Sequence, residues 1–254
     1  MKKRGERIVA LTAADFITAR LLDHAGVDII LVGDSLGTTL LGYESTVSVT
    51  MRDMLHHVKA VMRARPSALV VVDLPFGSYS PTAEQAVRSA VRLVREGGAD
   101  AVKLEGGQGQ EENIRAIVKV GIPVMGHIGL LPQSVLKEGG YRVQGKTREQ
   151  AGVLMKDLAG VERAGAFACV VEYVHASVAA KLTAKAGIPT IGIGAGAKCD
   201  GQVLVTSDIL GLQAWLEPKA ARRYAELGKA MQRAFEHYAS DVRTGKFPGA
   251  KESF

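Results

Sequence analysis

Five ionisable side chains stand directly after short apolar runs, where a buried strand would give way to a loop. Asp34 follows Ile29-Ile30-Leu31-Val32-Gly33, and Asp73 ends Val70-Val71-Val72. Glu105 follows Val102-Lys103-Leu104, His127 follows Val124-Met125-Gly126, and Glu172 ends Cys169-Val170-Val171. One such residue alone reads as a helix cap or an ion-pair partner, because Asp is a common cap. Four carboxylates gathered in one place would repel one another, so the arrangement calls for a cation. Asp34, Asp73 and Glu105 offer hard oxygen donors without a cysteine among them. That set suits Mg²⁺ better than Zn²⁺, with waters and substrate completing the shell and Mn²⁺ or Co²⁺ able to substitute. Lys103 precedes Glu105 by two residues and therefore shares its strand face. Its ammonium can grip a substrate carboxylate, balance the acids, or do both.

These groups can meet only if several strands bring their carboxyl ends together. Eight apolar runs are spaced along the chain: Ile8–Thr12, Asp28–Gly33, Leu69–Leu74, Ala99–Leu104, Ile122–His127, Ala166–Glu172, Ile188–Ile193 and Val203–Ser207. Most are nearly continuous in apolar character, as strands covered on both faces are. Between them lie helix-like stretches at Ala14–His24, Met51–Ala64, Thr82–Glu96, Glu112–Val120, Thr147–Arg163 and Val178–Ala186. Thr50 with Asp53 forms a candidate capping box, and Gly97-Gly98 stops the helix that Pro81-Thr82 opens. Alternating β and α units give either a doubly wound sheet or a closed barrel. Eight runs in 254 residues favour a (β/α)8 barrel in one domain over 1–254, close to the roughly 250 residues typical of that fold. The eighth run is short and has no clear helix before it. The glycine-bearing loops Ser35–Thr50 and Gly129–Lys146 follow the second and fifth strands, on the face where barrels keep their chemistry. Gly192-Ile193-Gly194-Ala195-Gly196 does not fit a dinucleotide fingerprint, since its third glycine is one position early. It reads as a tight turn at the barrel mouth.

Apolar residues make up 47% of the chain, enough for a large core. The formal charge of +6 could suit nucleic acid or an anionic ligand. The basic residues are scattered, however, with Arg88, Arg92 and Arg95 on one expected helix and Arg222, Arg223 and Lys229 on another. No zinc finger, RNA-recognition motif or basic arm is present, so nucleic acid is not an expected partner. Cys169 and Cys199 form no ligand cluster or disulfide framework, which fits a reducing compartment. The polar start and the short apolar run after it suit neither a signal peptide nor a membrane span. The expected location is the cytoplasm.

Seven segments carry a resemblance: 21–37 (LLDHAGVDIILVGDSLG), 70–79 (VVVDLPFGSY), 101–107 (AVKLEGG), 123–134 (PVMGHIGLLPQS), 139–146 (GGYRVQGK), 188–205 (IPTIGIGAGAKCDGQVLV) and 245–254 (GKFPGAKESF). Together they closely resemble the 3-methyl-2-oxobutanoate hydroxymethyltransferase family, also called ketopantoate hydroxymethyltransferase. The resemblance implies a barrel of the phosphoenolpyruvate/pyruvate superfamily. It also implies transfer of a one-carbon unit from 5,10-methylenetetrahydrofolate to 3-methyl-2-oxobutanoate, giving 2-dehydropantoate for pantothenate biosynthesis. Position by position, it makes Asp34 and Asp73 direct Mg²⁺ ligands and Glu105 a third acid on the metal side. It makes Ser35 and Lys103 substrate-binding, places His127 at the active-site histidine, and makes Glu172 the proton acceptor. It implies a large homo-oligomer, commonly a decamer. Three sites depart from the family pattern: Ala14 replaces a tyrosine, Tyr173-Val174-His175 stands for Cys-Val-Pro, and Ser207 precedes Asp208 where histidine is usual. The alternatives are a lyase-like relative acting on C–C bonds, whose Lys-Lys-Cys-Gly-His loop is absent here, and an inert barrel kept for assembly.

Overall fold

The computed structural model describes residues 1–134, 140, 142–213 and 219–254. Eight parallel strands close into a barrel in sequence order. They are β1 (Ile8–Thr12), β2 (Ile29–Val32), β3 (Leu69–Asp73), β4 (Ala101–Lys103), β5 (Val124–Gly129), β6 (Ala168–Glu172), β7 (Thr190–Ile193) and β8 (Gly201–Leu204). The seam closes with Ile8 opposite Gly201 and Ala10 opposite Val203. Among the described residues, the helices of the barrel unit are α1 (Phe16–His24), α2 (Leu36–Thr39), α3 (Met51–Met62), α4 (Ala83–Arg95), α5 (Glu111–Lys119), α6 (Arg148–Arg163) and α7 (Ala176–Lys185). No helix intervenes between β7 and β8, which residues 194–200 join directly.

Side chains of period two divide the strands between two cores. Ile8, Ala10, Ile29, Leu31, Val71, Ala101, Met125, Ala168, Val170, Ile191 and Val203 fill the barrel interior. Their neighbours, among them Ile30, Val32, Val70, Val72, Val102, Val124 and Val171, belong to the outer core with the helices. This double burial explains why the strands read as continuous apolar runs.

Local chemistry sets the helix starts. Asp15 accepts the Thr18 N–H at 2.8 Å to open α1. Thr50 and Asp53 cap each other reciprocally at the start of α3. Thr82 and Thr147 accept the N–H groups of Gln85 and Gln150 to start α4 and α6. Each cap satisfies an N–H that has no partner within the helix.

Two expectations need correction. The eighth strand runs over Gly201–Leu204 rather than Val203–Ser207, and Thr206 already begins a short helix, α8 (Thr206–Ile209). The reason lies in the seam. A Cβ on Gly201 would fall 2.7 Å from Ile8 Cβ and 2.9 Å from Ile191 Cδ1, so only glycine lets the backbones approach there. Arg222 and Arg223 precede the last long helix, α9 (Leu227–Arg243), and do not share it with Lys229. Arg88, Arg92 and Arg95 do share α4.

Met1–Leu204 forms one compact unit, the barrel, and Val205–Phe254 a second, which contains α8 and α9. Among the described residues, no helix is long and apolar enough to cross a membrane. Cys169 and Cys199 are both buried and free.

Candidate active site

The inward-facing register of the strands builds the mouth of the barrel. In β3 the order Leu69, Val71, Asp73 carries the interior face up to a carboxylate. In β4 Ala101 leads to Lys103, in β5 Met125 leads to His127, and in β6 Ala168 and Val170 lead to Glu172. Asp73 lies opposite Lys103 in the β3–β4 register. At the top of β2 the inward position is Gly33, which has no side chain. A Cβ there would stand 3.1 Å from Ser35 Oγ and 3.6 Å from Asp73 Oδ2. Gly33 thus leaves room for Asp34 and Ser35 to turn in over Asp73. Ser35 is half-buried at the start of α2 and its hydroxyl does not cap that helix.

Asp34, Asp73, Lys103, Glu105 and His127 are all buried, and Glu172 is partly exposed, with 14% of its side chain accessible. The Asp34 N–H donates to Asp73 Oδ2 at 3.0 Å. Lys103 Nζ lies 3.1 Å from Asp73 Oδ1 and 3.2 Å from His127 Nδ1. His127 Nε2 stands 3.1 Å from Glu172 Oε2, and its Nδ1 is 3.7 Å from Glu105 Oε1. The seven residues singled out in the sequence therefore meet at one end of the barrel.

The charges there are perturbed for identifiable reasons. Burial, reinforced by the Asp73 charge, raises the Asp34 carboxyl to about 7. Burial likewise pushes Glu105 well above the usual carboxylate range, against the pull of Lys103. For Lys103 burial disfavours the charge, but Asp73, Glu105 and Asp34 outweigh it, so the ammonium is held more firmly than usual. Burial and the Lys103 charge lower His127, which keeps the imidazole neutral near pH 7. Lys103 is thus a firmly held ammonium among the acids Asp73, Glu105 and Asp34.

Such a cluster presents hard oxygen donors of the kind a divalent cation takes. Asp73 Oδ1 is buried and has the Lys103 ion pair but no aligned hydrogen bond. The Asp34 N–H meets the Asp73 carboxylate directly, and Gln133 bridges Glu105 to Asp34. Among the described residues, no three Asp, Glu, His or Cys side chains are already grouped to hold a metal. Mg²⁺ held by one or two carboxylates, with water and substrate supplying the remaining ligands, does not need such a group of three. The donor chemistry fits.

Two polar residues at the mouth had no counterpart in the sequence reading. Gln133 is buried in the loop after β5. Its Nε2 donates to Asp34 Oδ2 at 2.8 Å and to the Leu74 carbonyl at 3.0 Å. Its main-chain N–H donates to Glu105 Oε2 at 3.0 Å. The Tyr79 hydroxyl donates to Gln133 Oε1 at 2.7 Å. Both residues are neutral and lie in loops, where no periodicity marks them; their signals were placement after strands β3 and β5 and membership of the segments 70–79 and 123–134. Tyr173, directly after Glu172, adopts a left-handed backbone with φ 47°. Its carbonyl accepts the Gln144 N–H at 2.7 Å, which fastens the loop after β5 beside Glu172. Residues 139 and 141 of the 139–146 segment lie outside the described residues.

The fold and site define a (β/α)8 barrel enzyme with an acidic mouth. Solved structures with this architecture include a 2,3-dimethylmalate lyase of the PEP mutase/isocitrate lyase superfamily (TM-score 0.63, 19% identity, 100% of this chain and 88% of that one). A phosphonopyruvate hydrolase solved with oxalate and Mg²⁺ is similar (TM-score 0.62, 14% identity, 98% and 89%). At these identities the likeness establishes the fold alone. Sequence establishes more. Residues 1–250 match the ketopantoate hydroxymethyltransferase family. The 3-methyl-2-oxobutanoate hydroxymethyltransferase of Moorella thermoacetica is 55% identical over 254 residues, covering 100% of this chain and 94% of its own. That of Ignicoccus hospitalis is 57% identical over 247 residues, covering 97% and 93%. This chain belongs to the ketopantoate hydroxymethyltransferase family.

Proposed function

We propose that the protein transfers a one-carbon unit from 5,10-methylenetetrahydrofolate to 3-methyl-2-oxobutanoate, forming 2-dehydropantoate in pantothenate biosynthesis with Mg²⁺ bound. Mn²⁺ or Co²⁺ can take the place of Mg²⁺. The observation that carries this reading is the convergence of Asp34, Asp73, Lys103, Glu105, His127 and Glu172 at one barrel mouth, in a chain of this family.

Asp34 and Asp73 would hold the metal, with Glu105 on the same side. The bound cation would supply Lewis-acid stabilisation of charge developing on the 2-oxo oxygen, an effect worth several kcal/mol. Lys103, fixed by Asp73 and backed by a neutral His127, offers its ammonium to the substrate carboxylate. Ser35 lies at the same rim and adds a hydroxyl. Glu172 takes the proton from C3, with His127 Nε2 3.1 Å from its Oε2. The electron pair freed at C3 forms the new C–C bond to the folate's methylene carbon. Both C–N bonds of the methylene group break, water's oxygen becomes the new hydroxyl, and the C3 proton and one water proton pass to the two nitrogens as tetrahydrofolate leaves. General-base catalysis of this kind contributes about 10²–10⁴-fold.

The homo-oligomer, a decamer, and the cytoplasmic location belong to the same proposal and rest on the family. The reading is tested by incubating the protein with both substrates and Mg²⁺ and following 2-dehydropantoate by NMR. Product formation is the expected result. Cleavage of other 2-oxo acids without it would point instead to a lyase.

A further inference from the structure

Both ends of the Gln133 side-chain amide, and its main-chain N–H, are bound at the mouth of the barrel. The Leu74 carbonyl can only accept, so the amide nitrogen must face it, and the same nitrogen reaches Asp34 Oδ2. The amide oxygen then faces Tyr79, whose hydroxyl proton it takes at 2.7 Å. Tyr79 in turn accepts the Glu105 N–H at 3.3 Å. Gln133's own main-chain N–H holds Glu105 Oε2. One neutral residue therefore ties together two acids from different strands, with its amide orientation fixed by its neighbours.

We propose that Gln133, locked by Tyr79, is the positioning residue that orients Asp34 and Glu105 for divalent-cation binding. Asp34 otherwise stands beside the Asp73 carboxylate, and like charges at that range push apart. A donor on Oδ2 holds Asp34 in place while leaving its other oxygen available. Outer groups that orient metal-ligating carboxylates typically alter metal affinity or activity by about 10–100-fold when removed. This inference rests on the metal-dependent reading above.

The test compares wild-type protein, Gln133→Met, Tyr79→Phe and the double variant. Metal-free protein is titrated with Mg²⁺ and with Mn²⁺ by calorimetry, and thermal midpoints and steady-state turnover are measured alongside. Gln133→Met should weaken cation binding by about 10–100-fold. Its thermal midpoint should fall, because the Tyr79 hydroxyl and the Leu74 carbonyl lose their buried partner, so affinities are compared at a temperature where every variant is folded. Tyr79→Phe should weaken cation binding in the same direction by less. The double variant should match Gln133→Met alone, because the hydroxyl acts through the amide. Wild-type affinity in Gln133→Met would overturn the proposal, as would losses that simply add in the double variant. Should Gln133→Met fail to fold, Tyr79→Phe decides: unchanged cation affinity there refutes the lock. If wild-type protein itself bound no cation, the functional reading would fail, a result distinct from any difference between variants.

Discussion

Replacing Lys103 by methionine removes a firmly held cation at the barrel mouth while keeping most of its apolar stem. Lys103 Nζ and Asp73 Oδ1 are 3.1 Å apart, with side chains only 5% and 4% accessible. Coulomb attraction at that separation is about 5 kcal/mol for an effective dielectric constant of about 20. Losing one partner of a buried pair typically costs about 3–5 kcal/mol, because the other charge stays buried and unpaired. We expect a loss of this size in equilibrium urea unfolding of the metal-free protein at pH 8. The loss should shrink as pH falls, because the carboxylates left behind can take up protons. Saturating Mg²⁺ should recover part of it, since a ligand that binds only the folded state stabilises that state. A loss below about 1 kcal/mol at pH 8, or none of it restored by Mg²⁺, would refute the charge balance described for the mouth.

Glu172→Gln should bind substrate normally yet lower turnover by about 10²–10⁴-fold; near-full turnover would exclude Glu172 as the base. The folded-state Asp34 carboxyl is raised from 3.8 to about 7, so the metal-free fold holds a proton that the unfolded chain releases. Its contribution to stability is full below about pH 4 and is lost as pH rises through about 7. Urea midpoints of metal-free protein at pH 6 and pH 8 should show this decline, and Asp34→Asn should flatten it. Away from the site, Thr50→Ala removes half of the α3 capping box and should cost about 1 kcal/mol, read from the same unfolding curves.

Most of the barrel could be read directly because each strand is buried on both faces and stands out as an apolar run. The site could be read for a related reason. Asp73, Lys103, His127 and Glu172 continue the inward alternation of their own strands, so an ionisable residue ending an apolar run already points into the mouth. Asp34 lies one residue beyond that register, and Gly33 is what admits it. The same logic misses Gln133 and Tyr79, which are neutral, sit in loops, and acquire their roles only through contacts 26 to 99 residues away in sequence. It also misplaces β8. Pairing with β1 decides that strand's register, and Gly201-Gln202 carries little apolar signal of its own. Arg222 and Arg223 sit next to a helix without entering it, and basic character alone does not mark that boundary.

The central claim is that the acids at this mouth, with a divalent cation, ionise C3 of a 2-oxo acid. The most direct measurement is hydrogen–deuterium exchange at C3 of 3-methyl-2-oxobutanoate in D₂O, followed by NMR with no folate present. We predict exchange with Mg²⁺, little after chelation, and a fall of about 10²–10⁴-fold in Glu172→Gln. Exchange equally fast without metal, or none with it, would contradict the account.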